Sequence, residues 1–105
     1  MRPLLALSVL AFSIALGSSA DAQQIGDPAA GAAYAEQVCA KCHAVDRGTS
    51  PEPTAPPFRD VANIPGMTGT ALAVWLTTSH PTMPNIVLDP QQLDNVIAFI
   101  VSLKE

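Results

Sequence analysis

Apolar and polar positions sort into three helical stretches separated by proline-rich breaks. Near the C-terminus, Leu93, Val96, Ile97, Ile100 and Leu103 recur at helical spacing with Phe99 beside them, which predicts an amphipathic helix. Its start is marked by Asp89-Pro90-Gln91-Gln92: Asp89 can cap, Pro90 is pre-set for the first helical position, and Gln92 can reach back to close a capping box. An earlier helix opens in the same way at Asp27-Pro28, runs through Ala29 to Val38 on good helix formers, and leads directly into Cys39. A third helix is predicted over Ala71-Leu72-Ala73-Val74-Trp75-Leu76, with Thr68 or Thr70 as its cap. Between these, Pro51, Pro53, Pro56 and Pro57 keep residues 46–57 irregular, and Phe58 to Asn63 is expected to form a short helical turn. Pro65-Gly66 is a break, and Pro81 and Pro84 bracket a non-helical segment around Met83. No stretch alternates as a strand would and there is no internal repeat. The expected class is all-α, with long loops for its size.

The N-terminal apolar run has a different character. Met1 and Arg2 give a positive start, Leu4 to Leu16 is apolar apart from small Ser residues, and Ala20-Asp21-Ala22 presents small residues where a signal peptidase reads. That run is short of the ~20 residues that span a bilayer. Residues 1–22 are therefore expected to be a cleaved secretory signal and residues 23–105 a single domain without a membrane span, exported to the periplasm and monomeric. A domain of that size buries a marginal core and needs a staple. Cys39 and Cys42 are the only cysteines, and a disulfide between such close neighbours would hold nothing distant together. Nine acids against five bases, with no basic cluster, argue against nucleic acid as a partner.

The chemistry centres on Cys39-Ala40-Lys41-Cys42-His43. Two cysteines three apart on a helical turn project to one side, where their sulfurs can bond the vinyl groups of a porphyrin. The histidine that follows then supplies an iron ligand. Three plainer readings compete: a local disulfide, a thioredoxin-like dithiol without its βαβ setting, and half a zinc site without a second ligand pair. Haem c fits the five-residue motif best. A second axial ligand has three candidates, Met67, Met83 and His80. A thioether is soft and favours Fe(II), raising the potential, whereas His80 would lower it. Met83 is preferred, because flanking prolines stiffen the loop that presents it; Met67 reads better as a core filler.

With these residues in view, residues 26–104 resemble the monohaem class I cytochromes c, small bacterial members in particular. The anchors are Cys39-Ala40-Lys41-Cys42-His43; Ala55-Pro56-Pro57-Phe58, similar to the family's Gly-Pro-x-Leu; Met83-Pro84; and Val96-Ile97-Ala98-Phe99-Ile100, similar to its Leu-Ile-Ala-Tyr-Leu. The resemblance implies the cytochrome c fold, three main helices and loops wrapped around one covalent haem. It implies that first and last helices cross at Gly31 with Phe99 as the aromatic there, and that the Pro56 carbonyl receives the His43 Nδ1–H. Ala55 for glycine and Phe58 for leucine depart from the pattern and leave adjacent Pro57 as an alternative to Pro56. No tyrosine follows Trp75 to bond the methionine sulfur. The loop His80-Pro81-Thr82-Met83-Pro84 resembles a bacterial variant in which the methionine ligates.

Among other residues, Trp75 is placed against the haem or its propionate as readily as in plain packing, and Arg59 is a candidate propionate partner with a solvated surface role as its alternative. Tyr34 is expected between helices. Leu72, Leu76, Ile86, Val87, Leu88, Val96 and Ile100 are candidate pocket liners. The resulting expectation is a one-electron carrier rather than an enzyme, with His43 and Met83 on the iron and redox proteins such as a dehydrogenase, an oxidase or a bc1-type complex as partners. The alternatives are a haem c subunit feeding an oxidoreductase complex and a five-coordinate haem ligand binder or sensor.

Overall fold

The computed structural model describes residues 25–105; the expected signal segment, residues 1–22, lies outside the described residues. Among the described residues four helices are present: α1 (Pro28–Val38), α2 (Phe58–Ala62), α3 (Gly69–Thr77) and α4 (Pro90–Ser102). Among the described residues there is no strand, so the class is all-α as the sequence predicts, with α1, α3 and α4 as the main helices and α2 as the short turn. No helix among the described residues is long and apolar enough to cross a membrane.

Each main helix begins where its cap says it should. Asp27 accepts from the Ala29 amide at 2.9 Å, with Pro28 in the first turn. At α4 the full capping box forms: Asp89 Oδ1 accepts from the Gln92 amide at 2.8 Å and Gln92 Oε1 accepts from the Asp89 amide at 3.1 Å. Of the two threonines before α3, Thr68 is the cap, its Oγ1 accepting from the Ala71 amide at 3.1 Å. The Pro65-Gly66 break precedes it, with Gly66 at a φ of 80°.

The helices pack chiefly through α1 on α4, with α2 and α3 laid against α4 as well. The α1–α4 crossing is close enough that Gly31 has no room for a side chain. A Cβ there would run into the Asn95 carbonyl of α4 and lie 2.9 Å from the Phe99 Cβ. The small residue and the aromatic meet as the resemblance implied. The entry to α1 is held on the same helix, the Asp27 amide donating to Asn95 Oδ1 at 2.8 Å.

Ala35, Val45, Phe58, Ala62, Met67, Leu72, Val96 and Ile100 form the core. Met67 belongs to it, and its carbonyl accepts from Lys104 Nζ at 3.0 Å, so the filler reading of Met67 is the one the packing supports. Residues 44–57 form an irregular loop pinned by its backbone. Ser50 is buried and its Oγ accepts from the Ala44 amide at 3.0 Å, while the Phe58 amide donates to the Ala44 carbonyl at 2.9 Å.

Candidate haem site

The two cysteines sit where α1 unwinds. Cys39 is the C-cap of α1, its amide still bonded to the Ala35 carbonyl at 2.8 Å. The Cys42 and His43 amides both donate to the Cys39 carbonyl, at 3.1 and 2.9 Å. This single extra turn brings Cys39, Cys42 and His43 together on one short piece of chain. Both thiols are free and half-buried, and burial pushes the Cys39 thiol above its ordinary range, keeping it protonated.

The His43 ring is held firmly. Its Nδ1 lies 2.7 Å from the Pro56 carbonyl oxygen. A carbonyl can only accept, so the ring proton is on Nδ1 and Nε2 carries the free lone pair, the form a metal needs. The sequence left Pro56 and Pro57 open; Pro56 receives the bond, and Pro57 is the N-cap of α2. The aromatic neighbour is Phe58, whose ring centroid is 5.1 Å from that of His43 and 6.3 Å from that of Phe99. The ring contact with Phe58 was not anticipated. Its only signal was the position two residues after Pro56.

A shallow cleft, open to solvent, runs between α1, α3, the segment after α3 and Val96 of α4. Cys39, Trp75, His80 and Met83 line it, with Leu76, Ile86, Leu88 and Val96 as its apolar wall. Tyr34, expected between helices, packs against the core and also lines the cleft, as does Asn85, which carried no sequence signal. Three expected liners lie elsewhere. Leu72 and Ile100 are in the core, because α3 and α4 turn those faces onto each other, and Val87 is 86% exposed. Trp75 is not core: it is 54% exposed and stands edge-on to the His80 ring, centroids 5.2 Å apart. Arg59 is outside the cleft and pairs with Glu105 at the end of the chain, the surface role set beside its propionate role.

These residues suit a flat, largely apolar group tied at one edge. Two free thiols share a turn and a histidine is oriented by a backbone carbonyl; the cleft that Cys39 lines, though Cys42 and His43 do not, combines aliphatic walls with one thioether and one imidazole. Among the described residues no group of three or more histidine, cysteine or acidic side chains could hold a bare metal ion.

Comparison with known proteins agrees. Residues 28–104 match the family model for cytochrome c. A curated relative, cytochrome c-552 of Bradyrhizobium diazoefficiens, is 33% identical over 92 residues, covering 87% of this chain and 88% of that protein. No solved structure matches significantly. The turn at Cys39-Ala40-Lys41-Cys42-His43, the all-α frame behind it and this family match lead to one conclusion: the chain belongs to the cytochrome c family, a class I c-type electron carrier whose cofactor is covalent haem c.

Proposed function

We propose that the chain is an exported, periplasmic one-electron carrier, not itself an enzyme, in which Cys39 and Cys42 would hold a haem and His43 and Met83 would bind its iron. The haem supplies a reversible Fe(III)/Fe(II) couple. The protein's part is to keep its surroundings the same in both states. His43 offers Nε2 because Pro56 fixes the proton on Nδ1, and Phe58 restrains the ring's tilt. Met83 offers a soft sulfur, which favours the reduced state and raises the potential. Leu76, Ile86, Leu88 and Val96 lower the local dielectric and disfavour the extra charge of the ferric state. Trp75, on the cleft wall and half in solvent, is proposed to cover one edge of the ring system.

The observation that carries this reading is the pairing of a carbonyl-anchored His43 on the cysteine turn with a thioether, Met83, in the cleft that Cys39 also lines. Partners are redox proteins, met as a monomer. Residues 1–22 act as the export signal.

The test is maturation in a host that attaches haem c. The intact mass should equal residues 23–105 plus one haem, recovered from the periplasm. The oxidised protein should show the sulfur-to-iron charge-transfer absorption of a methionine ligand, and Met83→Ala should abolish it. A colourless chain with free or mutually bonded thiols would end the haem reading. Rapid carbon monoxide binding to the reduced wild type would replace the carrier with a five-coordinate ligand binder.

A further inference from the structure

We infer that His80 is a standby ligand for the iron position that Met83 fills, so that the chain carries two donors for one coordination site; this rests on the assignment of Met83 above. The His80 Nδ1 lies 3.2 Å from the Thr78 carbonyl oxygen. The carbonyl can only accept, so this contact orients the ring through Nδ1 and turns Nε2 away from the backbone. This is the arrangement of His43 on Pro56, in which a backbone carbonyl orients an imidazole and turns Nε2 outward. The two histidines of the chain are prepared in the same way.

The Nε2 of His80 lies 2.9 Å from Met83 Sδ. A thioether sulfur, like a carbonyl, has no proton to give, so the two contacts bracket the ring and fix where Nε2 points. The contact sets two potential ligand atoms within 2.9 Å of each other in one cleft, so an iron position within reach of one is within reach of the other. The Trp75 ring, edge-on to His80, holds the imidazole from behind.

The segment between the two donors can deliver either one. Pro81 and Pro84 stiffen its ends. Thr82 between them has a φ of 73°, the left-handed region that a β-branched residue avoids, so the strain of the segment sits between the two donors. Sulfur prefers Fe(II), whereas a borderline imidazole competes better for Fe(III). His80 therefore gains on Met83 in the oxidised protein. Whenever the sulfur leaves, His80 closes the position against small outside ligands.

The test uses the matured holoprotein and three variants, His80→Ala, Met83→Ala and the double variant, read by ferric absorption and electron paramagnetic resonance and by carbon monoxide binding to the reduced state. His80→Ala should keep the sulfur charge-transfer absorption. Met83→Ala should lose it yet stay low-spin, and only the double variant should become high-spin. Occupancy by His80 should weaken carbon monoxide binding to Met83→Ala by about tenfold or more relative to the double variant. Should Met83→Ala lose its fold, Met83→Leu keeps the volume and gives the same reading. A high-spin Met83→Ala protein that binds carbon monoxide as well as the double variant overturns the standby role and leaves Met83 as the ligand. A Met83→Ala protein with the wild-type spectrum overturns Met83 and the standby role together.

Discussion

The two candidate ligands come from opposite kinds of structure. His43 is framed by the core: its Nδ1 is tied to Pro56, its ring packs on Phe58, and Phe58 packs in turn on Phe99 of α4. Its backbone is part of the turn that ends α1. Met83 stands on residues 78–89, which contain no helix, and its nearest partner is another candidate ligand. Stiffness there comes from Pro81 and Pro84, and strain sits at Thr82. One donor is thus an outcome of the fold, while the other is an outcome of local chain chemistry. A carrier built this way can alter the loop donor, and with it the potential, without disturbing the helices.

That contrast breaks if framework substitutions leave stability intact or if loop substitutions remove it. The largest effect is expected from Phe58→Ala, which empties a buried site touching both His43 and Phe99 and should cost about 3–5 kcal/mol in denaturant unfolding. Gly31→Val comes next. Its side chain meets the Asn95 carbonyl and Phe99, so about 3 kcal/mol should be lost, with the thermal midpoint falling accordingly. Asp89→Ala removes half of the α4 capping box and should cost about 1 kcal/mol by the same unfolding measurement.

Loop and surface changes should be smaller. Thr82→Gly relieves the left-handed backbone but frees the unfolded chain, for a net gain below about 1 kcal/mol with the sulfur absorption retained. A loss of that absorption would show that the threonine itself positions Met83. Arg59→Gln breaks an ion pair whose partners are 43% and 69% exposed, so stability should fall by less than about 0.5 kcal/mol. The midpoint potential should not move, because the guanidinium is outside the cleft. A clear shift in potential would return Arg59 to the propionates.

Much of this frame is local and was readable before any folding. Asp27-Pro28 and Asp89-Pro90 with Gln92 set helix starts because a cap acts within a single turn. The prolines of residues 51–57 rule out regular structure there because each removes its own backbone donor. The spacing of Cys39, Cys42 and His43 belongs to one turn of chain, so the haem chemistry was legible in five residues.

Other choices depended on which surfaces meet. Thr68 and Thr70 were equal as caps until the chain's path into α3 selected Thr68. Pro56 was the expected partner of His43 with Pro57 as its alternative, and the path of the loop brings the Pro56 carbonyl to the ring. Leu72, Ile100 and Val87 have the same apolar character in sequence, yet the first two enter the core and the third faces solvent. The approach of His80 to Met83 follows from how residues 78–83 bend back on themselves below α3. The sequence alone determined where helices start and which residues can bond a haem, because caps, prolines and ligand atoms act over a few bonds. Only the tertiary structure decided which proline holds His43, which leucines leave the cleft and which two donors share it, because those outcomes depend on helix crossings and loop paths that no short stretch of chain controls.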